Sequence, residues 1–209
     1  MINLLVIDPH PIVRSGFKNF LSDFDHLNID YITDNACDAL SYIESNSIDI
    51  IISEMVLSDI SPFTFINKSK KINPDINIVF FSHMDENIYS IPLLRGGAIG
   101  YLSKNVKAKV MADALSKIHT NNLYIINNFN NELSLDVDLD RPRNCFETLS
   151  AREIEVLKYL TDGKRNIEIA RRLDINQKTV NTYKNRMMQK LNVNNVFDLY
   201  LQAKNMNLV

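Results

Sequence analysis

The first 120 residues alternate between two patterns. Short apolar runs fall at Asn3–Ile7, Ile29–Thr33, Ile50–Ser53, Ile76–Ser82 and Ile99–Leu102. Between them lie stretches with helical spacing, such as Ile12, Phe17, Phe20, Leu21 and Phe24, then Ala36, Ala39, Leu40 and Ile43. A further helix is predicted from about Lys107 to His119. Strands buried on both faces are continuously apolar, and these are. Five such strands alternating with helices predict an α/β fold, a doubly wound five-stranded parallel sheet over residues 1–120.

The pattern then changes twice. "NNLYIINNFNNELSLDVDLDRPRNC" has no helical period and reads as a linker over 121–144, with a short ordered start near Tyr124–Ile126. From 145 to 209 the spacing is purely helical. Ser150 followed by Glu153 has capping-box spacing, and Ile154, Leu157 and Leu160 make an apolar face behind it. Gly163 ends that helix, and Asn166 is expected to cap the next, with Ile167, Ile169, Ala170 and Leu173 inward. "DIN" marks a tight turn before a third helix over about Gln177–Leu191, and a fourth runs over about Asn195–Lys204. The result is an all-α four-helix domain.

Charge sharpens this division. The net charge of −2 conceals two opposite halves. Residues 1–144 carry 12 Lys+Arg and 18 Asp+Glu, a balance of −6, whereas 145–209 carry 11 and 7, a balance of +4. Two domains with different partners are implied. Hydrophobic residues make up 45% and charged residues 23%, ordinary for a globular protein. No apolar run approaches the roughly 20 residues that span a bilayer. The first residues lack the basic flank and cleavage site of a signal peptide and read as a strand instead. Cys37 and Cys145 have no metal-type spacing and are expected as reduced thiols in the cytoplasm.

In the third helix of the second domain, Val180, Met187 and Leu191 form the apolar stripe, with Tyr183 and Met188 beside it. Lys178, Asn181, Thr182, Lys184, Asn185 and Arg186 are left to face outward. Amides and hydroxyls pair with base edges, and ammonium groups neutralise phosphates. Two helices, a short turn and a polar second helix have the form of a helix-turn-helix. The same residues also fit a small helical bundle with a solvated face. "LSAREIEVL", "NIEIARRL" and "KTVNTYKNRMMQKL" then carry a resemblance, over about 60 residues without a gap, to the DNA-binding domain of LuxR/FixJ/NarL-type regulators. The resemblance implies a third helix in the major groove and a fourth that helps dimerise on DNA. By position it implies that Asn181, Thr182 and Asn185 read bases, and that Lys178, Thr179, Lys184 and Lys190 hold phosphates. Tyr183 departs from the His of many members, and Asn185 from the Lys of some.

In a doubly wound sheet, ligands gather at the C-terminal strand ends. Those ends nominate Asp8, Glu54, Ser82 and Lys104. Two acids, a hydroxyl and an ammonium suit phosphate handling, although strand ends are commonly polar because loops begin there. "LLVIDPHPIVRSGF", "DIIISEMVLSDIS", "IVFFSHMDE" and "GGAIGYLSKN" resemble a response-regulator receiver domain, which is flavodoxin-like, over essentially residues 1–120. The family's acceptor aspartate falls at Glu54, and its second metal-binding acid falls at Pro9. Tyr101 falls at its aromatic switch position. Ser58 and Pro62 stand where many members have Pro and Gly.

These departures carry the functional expectation. Mg²⁺ wants near-octahedral oxygen ligation, and Pro9 supplies no side-chain oxygen. Glu54 is one methylene longer than aspartate, which displaces its carboxylate by roughly a bond length. In-line transfer tolerates misplacement of no more than about an ångström. The expectation is an atypical NarL/FixJ-type regulator, binding double-stranded DNA as a homodimer, independent of phosphorylation. Glu54 is expected to pair with Lys104, either imitating a phosphorylated pocket or as an inert salt bridge. The competing readings are a partner-binding regulator that heterodimerises and a small α/β phosphoryl-handling enzyme. No cofactor is expected. Asp8, His10, Glu54 and His83 can be drawn as a metal site, but "HP" already reads as a turn into the first helix, and no metal is expected.

Overall fold

In this computed structural model, residues 1–121, 125–127, 133–135, 139 and 146–205 are described. They form two compact units, a sheet unit and a helical unit.

Over residues 1–121, strands β1 (Ile2–Ile7), β2 (Leu27–Thr33), β3 (Ile50–Ser53), β4 (Asn77–Ser82) and β5 (Gly100–Ser103) alternate with helices α1 (Pro11–Phe20), α2 (Ala36–Ile43), α3 (Pro62–Ile72), α4 (Glu86–Arg95) and α5 (Ala108–Asn121). The five expected strands are all present and mutually parallel, in the order β2-β1-β3-β4-β5. The apolar runs of β1, β3, β4 and β5 are buried on both faces, whereas β2, at the sheet edge, is only partly buried and exposes Asp30. Leu4, Val6, Ile50, Ile52, Val79 and Phe81 form one core with Phe17 of α1, Leu21 just past its end, and Met111, Leu115 and Ile118 of α5. Leu5, Ile7, Ile51 and Phe80, the alternate residues, are equally buried. Phe17 meets Phe81 edge to face at 5.7 Å, a geometry that aromatic quadrupoles favour. Ile12, expected on the inward stripe of α1, is instead 83% exposed.

The sheet is wider than five strands. β6 (Ile125–Asn127) pairs parallel to β5, and β7 (Leu133–Leu135) pairs antiparallel to β6. Both lie within the stretch expected as linker. Each has three residues, too few for a strand period to rise above an asparagine-rich background. Most of the remaining stretch lies outside the described residues.

Strand order reverses at β1, which pairs with β2 on one side and β3 on the other. Such a switch opens a crevice beyond the strand ends. Asp8 follows β1 and Glu54 follows β3, so two carboxylates face that crevice. Glu54 N donates to Ile7 O at 2.8 Å, which locks the two strand ends together.

The helical unit comprises a 3₁₀ turn at Phe146–Thr148 and helices α6 (Ala151–Thr161), α7 (Asn166–Arg172), α8 (Gln177–Lys190) and α9 (Val196–Asn205). The capping box at α6 is formed as expected: Ser150 N donates to Glu153 Oε2 at 2.6 Å, and Glu153 N to Ser150 Oγ at 3.4 Å. Gly163, just beyond α6, has φ +72°, a conformation that costs glycine nothing. Arg165, not Asn166, is the N-cap of α7, and Ile167 is 42% exposed rather than inward. Asn166 is therefore free to serve another purpose. Asp174 takes a left-handed φ of +52° in the α7–α8 turn, and Asn176 caps α8 by accepting from Thr179 N at 2.8 Å. Val180, Met187 and Leu191 anchor α8 in the core. Among the described residues, no helix is long and apolar enough to cross a membrane.

Candidate functional site

Asp8, Glu54, Ser82 and Lys104 come from four different strand ends and meet in one pocket. The Lys104 ammonium lies 2.6 Å from Asp8 Oδ2 and 2.5 Å from Glu54 Oε2. Both carboxylates are 1% exposed. A buried carboxylate costs several kcal/mol unless paired and hydrogen-bonded, and each here is both. Glu54 Oε1 accepts from Ser82 Oγ at 2.6 Å, Met55 N at 2.6 Å and Val56 N at 3.3 Å. The Oε2 contact with Lys104 is a charge contact rather than an aligned hydrogen bond. Asp8 Oδ1 accepts from His10 N at 2.8 Å and lies 2.8 Å from His10 Nδ1. Arg14 Nη1 donates to Asp8 O at 2.7 Å.

Lys104 answers to opposing influences. Burial lowers its pKa, but its close contacts with the Asp8 and Glu54 carboxylates, and their charge, outweigh burial and hold it above its ordinary value. It is a fixed ammonium between two carboxylates.

The network continues past Ser82. Met84 N donates to Ser82 Oγ at 3.4 Å, and Tyr101 OH donates to Met84 O at 2.6 Å. Tyr101 is fully buried. The extra methylene of Glu54 thus carries its oxygen to the Ser82 hydroxyl, and from there bonds run along the β4–α4 loop to Tyr101.

The divalent ion implied by the resemblance does not fit these residues. Pro9 has no side-chain oxygen. Asp8 and Glu54 each face Lys104 with one oxygen and spend the other on hydrogen bonds. Asp8, His10 and Glu54 do bring ligand atoms within 4.8 Å of one another, without His83. The Lys104 ammonium already holds a cation's place between the two acids.

On α8, Lys178, Asn181, Thr182, Asn185 and Arg186 are exposed, while Thr179 and Lys184 are half-buried. The first turns are braced locally. Thr179 Oγ1 donates to Asn176 Oδ1 at 3.0 Å, and Thr182 Oγ1 to Lys178 O at 3.0 Å. Lys190 stands apart from the other nominated lysines. Its ammonium donates to Thr148 O at 3.0 Å and to Glu153 Oε2 at 2.7 Å, inside its own domain. Burial raises the Glu153 pKa, but Lys190 and the Ser150 N–H outweigh that and hold it below the ordinary glutamate value. Asn166, which motif reading passed over as a helix cap, reaches across to α8 and bonds Asn181 at 2.7 Å. No local spacing signals this bond, because the two residues belong to different helices.

Known proteins match both units. Residues 4–116 match the response regulator receiver domain family, and residues 147–203 match the bacterial regulatory proteins of the luxR family. Response regulator UvrY of Escherichia coli (strain K12) is 27% identical over 202 residues, covering 95% of this chain and 92% of that protein. Response regulator GacA of Pseudomonas syringae pv. syringae is 28% identical over 204 residues, covering 97% and 95%. Among solved structures, RcsB from Salmonella enterica serovar Typhimurium, bound to promoter rprA, shares the fold with a TM-score of 0.73 at 20% identity, covering 100% of this chain and 99% of that one. The chain belongs to the response regulators of the NarL/FixJ type, a receiver domain joined to a LuxR-type helix-turn-helix DNA-binding domain.

Proposed function

We propose that this response regulator controls transcription as a dimer on DNA, in the cytoplasm, without phosphorylation of its receiver domain. One observation carries the second half of that reading. Glu54 stands at the acceptor position with both oxygens committed, one to Ser82 and two backbone N–H groups, the other to Lys104. A carboxylate so held is a poor nucleophile, and Pro9 leaves the metal site short of a ligand. Glu54 instead fixes Ser82, the β4–α4 loop and Tyr101 in one arrangement, the part a phosphoryl group would otherwise play.

On the DNA side, the exposed Asn181, Thr182 and Asn185 read base edges, and Lys178, Thr179 and Lys184 meet phosphates. Lys190 is assigned to holding the domain together, because its ammonium is already bonded to Glu153 and Thr148 O. DNA-bound and dimeric forms of RcsB lend this reading support. A two-fold dimer expects paired half-sites about one helical turn, or a multiple, apart.

The deciding experiment treats wild type and Glu54→Gln with an acyl phosphate and measures phosphoryl incorporation, oligomeric state and DNA affinity. No incorporation is expected, and Glu54→Gln should weaken dimerisation and DNA binding. Stable incorporation by wild type would refute phosphorylation independence. Unchanged association and affinity in Glu54→Gln would reduce Glu54 to a structural salt bridge.

A further inference from the structure

Asn166 opens α7, and its side chain crosses to α8. Its Nδ2 donates to Asn181 Oδ1 at 2.7 Å, and its Oδ1 lies 3.5 Å from Lys184 Nζ. An ammonium has donors and no acceptor. Lys184 therefore settles which end of the Asn166 amide faces it, namely the oxygen. That leaves Nδ2 for Asn181, which must answer with its own oxygen. The order of three side chains is fixed by the one whose chemistry allows no choice.

We infer that Asn166 sets the polarity of Asn181, so that Asn181 presents N–H donors to DNA and selects a keto base, guanine or thymine, where it reads. This rests on the proposed reading of bases by α8. An unrestrained asparagine reads adenine with both ends, accepting from N6–H and donating to N7. Here the oxygen is turned to Asn166, so one of its two lone pairs is spent and the amide is held out of the bidentate pose. The outward donors match the O6 and N7 acceptors of guanine or the O4 of thymine. Cytosine offers its N4 amino donor, which meets another donor. Adenine keeps an N7 acceptor, but its amino group loses the aligned acceptor of that pose. Asn166 is thus a positioning residue for specificity, acting through Asn181.

The test is selection from random duplex DNA with the full chain as wild type, Asn166→Asp, Asn166→Ala and Asn181→Ala. The base pair whose preference disappears in Asn181→Ala identifies the position read. Wild type should enrich guanine or thymine there by about fivefold, the worth of one hydrogen bond. In Asn166→Asp the carboxylate accepts from both Lys184 and Asn181 Nδ2, which turns Asn181 Oδ1 outward. Preference should then move to adenine or cytosine at that position alone. Asn166→Ala, which frees the Asn181 amide, should admit adenine. Circular dichroism checks that each variant folds, and if Asn166→Asp does not, Asn166→Ala decides. An unchanged keto preference in the Asn166 variants, adenine or cytosine in wild type, or no position lost in Asn181→Ala overturns the inference. Failure of every chain to enrich any sequence would instead remove the base-reading proposal beneath it.

Discussion

Replacing Lys104 with methionine isolates the energetics of the pocket. The side chain keeps its approximate length and loses its charge. Asp8 Oδ2 and Glu54 Oε2 then lose a partner at 2.6 Å and 2.5 Å, respectively, while both residues stay 1% exposed. Breaking a buried charge pair by removing one partner costs about 3–5 kcal/mol. The two acids offer atoms within 4.8 Å of each other, and unit charges at that distance repel by about 3 kcal/mol at an effective dielectric near 20. The two figures describe overlapping effects, so the expected loss is about 3–5 kcal/mol. A domain's whole stability is about 5–15 kcal/mol. At about 1.5 kcal/mol per molar urea, the midpoint falls by about 2 M or more. Hydrogen exchange of the Ile51 and Ile52 amides across a urea series reads opening of the sheet separately from the helical unit. Adding Glu54→Gln to Lys104→Met should restore about 2 kcal/mol at pH 8. A variant within about 1 kcal/mol of wild type at pH 8, or one that Glu54→Gln fails to rescue, would refute this account of the pocket.

Three further outcomes follow from the same geometry. With its folded pKa raised, Lys104 contributes stability that is complete below the unfolded lysine value of about 10.4 and is lost as pH rises through the higher folded value; unfolding curves from pH 9 to 11.5 should show this fall in wild type and not in Lys104→Met. Glu153 has the opposite sign, since its lowered pKa gives stability that is complete above the unfolded glutamate value of about 4.3 and is lost as pH falls through the folded one. Lys190→Gln should therefore destabilise the helical unit by about 1 kcal/mol near neutral pH, discounted for the half-exposed lysine, and leave the salt dependence of DNA binding unchanged, whereas Lys178→Gln should reduce that salt slope by about one unit. Finally, Pro9→Asp with Glu54→Asp supplies the missing second acid and an aspartate in place of the glutamate, and acyl-phosphate labelling should detect phosphoryl incorporation in the double variant and in neither single one.

What the sequence reveals here depends on how local the cause is. Four of the five parallel strands announce themselves because burial on both faces demands apolar runs such as Ile50–Ile52, and the edge strand β2 shows a weaker signal because it is only partly buried. The α6 cap is legible because Ser150 and Glu153 satisfy each other within one turn. The pocket residues are legible one at a time, as polar groups at strand ends. Their hydrogen-bond network was only partly foreseeable. A Glu54–Lys104 pair follows from burying a charge, but the path from Ser82 through Met84 to Tyr101 depends on a loop trajectory. β7 escapes, and β6 shows only as the ordered start near Tyr124–Ile126, because three-residue strands have no period to detect. Lys190 misleads in one respect: its basic, exposed position on α8 suits a phosphate and gives no hint of its partners in the structure, Glu153 and Thr148 O, which come from a preceding helix and turn. Ile12 misleads in the same way, since its spacing suits the α1 stripe but its place in the first turn lies beyond the core.

The bonds that satisfy Glu54 also tie position 54 to position 9. Glu54→Asp alone withdraws the carboxylate from Ser82 and loosens its hold on Lys104. Pro9→Asp alone adds a third acid beside an ammonium already shared by two. Each substitution taken singly is therefore expected to weaken the domain, and only the pair supplies an aspartate with a companion acid. Positions 9 and 54 are thus coupled through one ammonium, and the stability cost of the double variant should differ from the sum of the two single costs.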